Sequence, residues 1–328
     1  MKVSQMLKQT TFLDVALQSK SRTTRREVFL ETMNQVVPWP ELVKLIQPVY
    51  PSSKRGRPPI GIERMLRLYF IQLWFGYSDE GTEDALYDMP ILSRFAGIDL
   101  TQERVPDATT LLNFRHLLEA HNLAASILSV LNGILQDKSL MMREGTIVDA
   151  TLIAAPPSTK NKTGTRDPEM HQAKKGNQWY FGMKAHIGVD LESGLVHTVV
   201  GTAANVSDVV VASELLHGEE SLALGDAGYT GIEKREESRD NDVSWLVAMK
   251  PGKLKALPEG DVEDVIRRLE RKKAQARAKV EHSFHIVKNL FHFRKTRYKG
   301  LFKNTHHVQM LFALSNVYRL RKILYAMG

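Results

Sequence analysis

Two textures of apolar spacing divide the chain at about residue 140. Upstream, apolar residues recur every three to four positions. Ile62, Met65, Leu66, Tyr69, Phe70 and Leu73 predict a helix from about Gly61 to Phe75. A second helix is predicted over 80–89, with Ser78 or Asp79 as its cap. A third starts after Asp107, a good N-cap following Pro106, and carries Leu111, Leu112, Phe114, Leu117 and Leu118. A fourth covers 124–136. Residues 1–50 also read as helical, punctuated by Pro38, Pro40 and Pro48. The apolar stripes are those of a bundle core, so 1–140 is expected to form an all-α N-terminal domain.

Downstream, in the expected second domain over 141–328, short β-branched runs replace the helical period. Gly145 to Ile153, Ala185 to Asp190, Leu195 to Ala203, Ser221 to Asp226 and Ser244 to Met249 read as strands. Glu192-Ser193-Gly194 is a good hairpin connection. The polar stretch from Pro156 to Lys175 reads as a mobile loop. Helices are predicted from Val209 to Leu216, from Ile232 to Asp240 and, at greater length, from Asp261 to Phe291. The order β-β-β-α-β-α-β-α predicts an α/β fold, a mixed sheet with helices on both faces.

Composition narrows the class. The 328 residues are 43% hydrophobic and 25% charged, as in globular proteins. There is no cysteine, which excludes a disulfide framework and a thiolate zinc site. No apolar run approaches a membrane span and no apolar leader is visible, so a soluble intracellular protein is expected. The net charge of +8 is unevenly spread. From Asp261 onward there are 16 Lys and Arg against 5 Asp and Glu, and no acid follows Glu281. A solvated surface normally mixes signs, so this one-sign tail predicts a phosphate-backbone contact. The RGRP core of Lys54 to Pro59 looks like a minor-groove hook, but a match this short is a weak signal and a Pro-rich linker leading into a helix is the preferred reading.

Three carboxylates stand out by context. Asp149 interrupts an apolar strand, where a lone buried charge costs several kcal/mol. Asp226 ends another strand beside the glycine-rich turn Gly225, Gly228 and Gly231, so it points into a crevice of the sheet. Glu281 lies on the long helix. Arg277, Glu281, His285 and Lys288 share one stripe of that helix. Val280, Phe284, Val287 and Phe291 form the adjacent apolar stripe that would press it onto the sheet. Two carboxylates about 5 Å apart repel by roughly 3 kcal/mol at an effective dielectric near 20. If the three converge, they call for a divalent cation, and oxygen ligands favour Mg²⁺ or Mn²⁺. A metal pair suits in-line phosphoryl transfer. Singly, each acid has a plain explanation: a satisfied core acid, a turn cap, and an ion-pair partner of Arg277.

Longer strings carry a resemblance. DATLIAAPPSTKN from Asp149, WYFGMKAHIGVD from Trp179, GDAGYTG from Gly225 and KVEHSFHIVKNLFHFRKTRYKGL from Lys279 resemble DDE-class insertion-sequence transposases, nearest the insertion-sequence-five family. The GRPPI to SRFAGIDL region resembles that family's N-terminal helical domain. The resemblance implies an RNase H-like mixed sheet flanked by helices. It implies that Asp149, Asp226 and Glu281 are catalytic and hold two Mg²⁺, with Mn²⁺ as a substitute. It implies a transposase that binds its element's inverted-repeat ends, cleaves them and joins the freed 3′-hydroxyl to target DNA. The partners implied are double-stranded DNA and further copies of the chain, in the bacterial cytoplasm at the nucleoid. The family's late-helix signature, Tyr-x2-Arg-x3-Glu-x6-Lys, fits Arg277, Glu281 and Lys288, but Ala274 stands where Tyr is expected. Arg277, Lys288, His285, Lys184, Arg294, Lys295, Arg297 and Lys299 are the expected DNA contacts. Trp179 and Tyr180 either reach flanking bases or pack in the core.

Some patterns lead elsewhere or nowhere. His282 and His285 lack a third ligand for a metal site. Gly252-Lys253 lacks the remainder of a phosphate-binding loop. Asn205 and Asp208 read as support for the site or as a helix cap. Two other functions remain open: a catalytically silent DNA-binding regulator derived from such an element, and a hydrolase of small phosphate esters. The second leaves the basic tail unexplained.

Overall fold

The computed structural model describes residues 22–52, 58–160, 162, 164–236 and 243–327. Residues 55–57 of the RGRP segment lie outside the described residues, as do residues 237–240 of the helix expected from Ile232 to Asp240. The portion of it that is described is a single 3₁₀ turn, Ile232–Lys234.

Among the described residues, seven helices come first: α1 (Arg25–Val36), α2 (Trp39–Ile46), α3 (Ile62–Phe75), α4 (Asp79–Asp88), α5 (Pro90–Phe95), α6 (Ala108–Ala120) and α7 (Leu123–Asp137). Their starts follow the sequence signals. The Thr24 hydroxyl and the Glu27 carboxylate close a capping box on α1. Ser78 Oγ accepts from Gly81 N at 2.9 Å, and Asp107 Oδ1 accepts from Thr110 N at 2.7 Å. Gly76, at φ +69°, ends α3 in the left-handed conformation. A buried ion pair ties α6 to α4: Arg115 donates to both Asp79 oxygens at 2.6 and 2.9 Å.

The sheet has six strands: β1 (Gly145–Ala154), β2 (His171–Lys175), β3 (Gln178–Asp190), β4 (Val196–Ala203), β5 (Leu222–Gly225) and β6 (Ser244–Val247). Across the sheet the order is β4-β3-β1-β5-β6. β3 runs antiparallel to β1 and β4, while β5 and β6 run parallel to β1. This is the RNase H-like arrangement. β1 and β5 are central: the first four residues of β1 and three of the four of β5 are buried, while β1 becomes mostly half-buried from Asp149 onward. The stretch expected to be a loop up to Lys175 ends instead in β2, which pairs the first half of β3 and extends that hairpin past β1.

Between and after the strands come α8 (Asp208–Val211), α9 (Pro251–Lys255), α10 (Asp261–His285) and α11 (Leu301–Met327). α10 ends at His285, six residues before the predicted Phe291, and continues as a π-helical turn, Ile286–Leu290. Val280, Phe284 and Val287 are buried, as their stripe predicts. α11 is buried on most sides through its middle, where His306, His307, Ser315 and Asn316 sit among apolar residues. It packs on α7, β4 and α1, so one hydrophobic core runs from Leu30 to Val317. Asn316 fixes its register: its amide bonds both backbone groups of Val196 and the Asn132 side chain. Among the described residues, no single helix is long and apolar enough to cross a membrane. The pair α6 and α7, bent by 77°, passes that test on length and composition, and its apolar residues belong to the shared core.

Candidate active site

Asp149, Asp226 and Glu281 line one open cleft of about 770 Å³, together with Arg277, His285, Lys288, Asn289, Arg294, Lys175 and Tyr180. Three elements deliver the acids. Asp149 sits in the middle of β1, paired with Ile187 of β3. Asp226 follows the last residue of β5, where its carboxylate accepts from Gly228 N at 2.8 Å and caps the turn Ala227–Tyr229. A side chain at residue 228 would put its Cβ 2.8 Å from Asp226 Oδ1 and so push that carboxylate from its capping position. Glu281 is exposed on α10, four residues after Arg277.

The electrostatics of Asp149 are unfavourable for a charge. Burial pushes its pKa up to about 6, and the nearby Asp226 and Glu281 push the same way. The Ala150 N–H, donating to Asp149 Oδ1 at 2.7 Å, and the Arg277 guanidinium, 3.5 Å from Oδ2, compensate in part. The three acids are thus close enough to repel and are incompletely neutralised by the chain itself. That donor set, oxygen-only and negative, fits divalent cations. Tyr229, fully buried beside the acids, has its pKa raised far above the ordinary value, first by burial and then by Asp149.

The expected phosphate contacts separate into two groups. Arg277, His285, Lys288 and Arg294 reach the cleft. Within it, Lys288 Nζ donates to Leu152 O at 2.7 Å and is pushed down in pKa by burial, and His285 Nδ1 pairs with the Asn289 amide. Arg294 bonds Asn289 Oδ1 and Lys288 O. Lys295 and Lys299 are exposed nearby in sequence. Lys184 and Arg297 are turned to other partners. Lys184 Nζ donates to Asp208 Oδ1 and Val206 O, and Arg297 donates to the carbonyls of Gly76 and Tyr77 after α3. Asp208, the first residue of α8, is therefore an ion-pair partner.

Sequence reasoning misses Lys175 and Asn289 in the cleft. Lys175 hides in the stretch that reads as a loop, although the Gly176-Asn177 turn after it is a hairpin signal. Trp179 is 64% exposed on the β2–β3 hairpin, so it is not core. The most general expectation, that the basic tail is one phosphate surface, needs correction. Lys279 and Arg319 donate to the carbonyls of Leu191, Glu192 and Gly194 in the β3–β4 hairpin. His306 and His307 are buried and pushed down in pKa by that burial.

The strand order and the acids at β1, β5 and a late helix define an RNase H-like fold with an acid-lined cleft. Residues 141–317 match the family described as the transposase DDE domain. Residues 17–117 match a second family described as a transposase domain (DUF772). The chain belongs to the DDE transposase family, and is a DNA transposase of the insertion-sequence type. Among solved structures it is similar to a protein in the crystal structure of the Mos1 strand transfer complex, at 13% identity. That match covers 76% of this chain and 82% of the other, with a TM-score of 0.19, too low to add to the argument.

Proposed function

We propose that the chain is a transposase of the insertion-sequence-five family. It binds the inverted-repeat ends of its element and carries out metal-dependent cleavage and strand transfer with Asp149, Asp226 and Glu281. The observation that carries this is the meeting of three carboxylates in one cleft, with Asp149 pushed up to about 6 by burial and by its neighbours. Asp149, Asp226 and Glu281 would hold two Mg²⁺, or Mn²⁺ in their place. Bound there, the ions supply Lewis-acid activation of an attacking oxygen and charge neutralisation at the leaving oxygen.

The chain's own residues bind and orient. The Arg277 guanidinium, 3.5 Å from Asp149 and lining the cleft, would hold a DNA phosphate brought there. Lys288 anchors the end of α10 to β1 through Leu152 O and so sets the height of Glu281 over the sheet. Arg294, Lys295, Lys299 and Lys175 would grip the backbone of bound DNA, and the exposed Trp179 offers a stacking face. Water attacks first and frees a 3′-hydroxyl, which then attacks target DNA; no protein nucleophile takes part. The chain works as a homo-oligomer in the cytoplasm, at the nucleoid. A Mg²⁺-dependent nicking assay on an element-end duplex tests the reading. Asp226→Asn should abolish nicking while retaining DNA binding, and undiminished nicking by that variant would refute the site.

A further inference from the structure

A second cluster lies on the same sheet, away from the acids. His197 at the start of β4, His217 and Glu220 in the loop before β5 each bring one ligand atom within 4.8 Å of the others. His217 Nε2 is 3.4 Å from Glu220 Oε1. The Thr146 hydroxyl stands 2.8 Å from Glu220 Oε1 and 3.0 Å from His197 Nε2. Bonds of about 2.0–2.1 Å to a tetrahedral ion put ligand atoms roughly 3.3–3.4 Å apart, the length of the His217–Glu220 edge, while the hydrogen-bonded Thr146 contacts are shorter.

The cluster is built rather than accidental. His197 reaches Thr146 only by crossing β3, and it does so over Gly188. A Cβ at residue 188 would lie 2.7 Å from His197 Cε1 and 2.2 Å from Leu215 O. Glu220 is fixed by the backbone N–H groups of His217 and Gly218 at 2.6 and 2.7 Å. His197 Nδ1 meets the Thr198 hydroxyl at 2.9 Å, the outer bond that orients a ligating imidazole. The independent sign is His217 Nε2: the side chain is only 6% exposed, and this nitrogen, aimed at Glu220, is buried with no hydrogen bond.

We propose that His197, His217 and Glu220, with the Thr146 hydroxyl or a water as fourth ligand, form a structural site for a borderline transition ion, Zn²⁺ in particular. Two imidazoles and one carboxylate favour Zn²⁺ over Mg²⁺, unlike the all-oxygen cleft. Glu219 N–H donates to His217 Nδ1 at 3.2 Å in an exposed part of the loop. Ligation through Nε2 moves the ring proton to Nδ1 and turns that N–H to water. Thr146 and Asp149 are three residues apart on β1, so the site faces the opposite side of the sheet, about 10 Å along the strand. Its effect is to staple β1, β4 and the entry to β5, the strand that ends at Asp226.

The test uses the full chain, stripped with a chelator and dialysed, without DNA. Zn²⁺ is titrated against a chromophoric chelator, and Co²⁺ is followed by its visible absorption. The expected result is one equivalent bound at micromolar affinity or tighter, a tetrahedral Co²⁺ band and a raised Tm. His217→Ala and the more conservative His217→Gln should each weaken binding at least tenfold with the far-UV dichroism intact. The double variant Asp226→Asn/Glu281→Gln should keep it, which separates this site from the cleft. Absence of binding, unchanged binding in both His217 variants, or loss in the double variant would overturn the proposal.

Discussion

Replacing Asp149 by Asn should make the metal-free protein more stable at alkaline pH and leave it no more stable at acid pH. The carboxyl titrates near 6 in the folded protein against an ordinary 3.8. Each pH unit between those two values is worth about 1.4 kcal/mol, so the ionised group costs the fold on the order of 3 kcal/mol. The sign follows from linkage. A folded pKa above the unfolded one means that the group imposes no penalty below about pH 4. The penalty grows between pH 4 and 6 and is complete above that. Asn is neutral throughout, keeps an acceptor for the Ala150 N–H, and loses the weak Arg277 contact. About 2–3 kcal/mol should therefore be recovered at pH 8, roughly 3–4 °C in Tm for a chain of this length.

The assay is a pair of melting curves, parent and variant, at pH 4.5 and pH 8 in chelator, repeated at pH 8 with excess Mg²⁺. Mg²⁺ should raise the Tm of the parent and close most of its deficit, because a bound cation takes over the compensation of Asp149. The variant should respond less. A parent–variant difference that is the same at both pH values would refute the electrostatic account. A variant that gains as much from Mg²⁺ as the parent would refute a role for Asp149 in holding the ion.

Three further outcomes follow from the geometry. Asp79→Ala removes both direct bonds to the buried Arg115 guanidinium, leaving Glu119 at 3.9 Å as its carboxylate partner, and should cost about 3 kcal/mol in urea unfolding. The Arg115 bond that offsets burial holds the Asp79 pKa below its usual range, so this pair's contribution is present above pH 4 and fades as pH falls further. Trp179→Ala should leave Tm within a degree and weaken binding to DNA by about tenfold in a fluorescence titration, as one lost stacking face predicts; unchanged affinity would remove the ring from the interface. Gly188→Ala forces a Cβ against Leu215 O and the His197 ring, and should lower Tm by several degrees.

The parts legible in the sequence were those set by local rules. The caps at Ser78 and Asp107, the buried stripe of α10 and the hairpin at Glu192-Ser193-Gly194 all stand where period and turn chemistry put them. The strand around Asp149 is also in place, since a β-branched run with one acid has few alternatives. What local rules cannot reach is pairing partner. β2 is polar and mostly exposed, so it carries no burial signal; only its pairing with the first half of β3 makes it a strand. The same limit hid His197, His217 and Glu220. Their spacing fits no metal motif, and it is the crossing over Gly188 that brings His197 to the other two.

The basic tail shows most clearly how charge in a sequence divides once folded. A cation has two uses in this fold, and the backbone decides between them. Where α10 and α11 pass a hairpin whose carbonyls lack strand partners, Lys279 and Arg319 close it; Lys288 and Arg297 do the same for Leu152 and for the end of α3. Among them, the Lys288 bond holds the end of the helix that carries Glu281 against the strand that carries Asp149. Where no such carbonyl is near, as at Lys295 and Lys299, the side chain remains exposed. The surplus of positive charge therefore supports the cleft in two ways. Part of it fixes the relative position of two mutually repelling carboxylates, at a site whose own cations leave Asp149 underneutralised. The remainder is exposed and, on the function proposed above, is the part available to a polyanion. Removing a carbonyl-bound cation should change stability first, and removing an exposed one should change salt-dependent DNA affinity first.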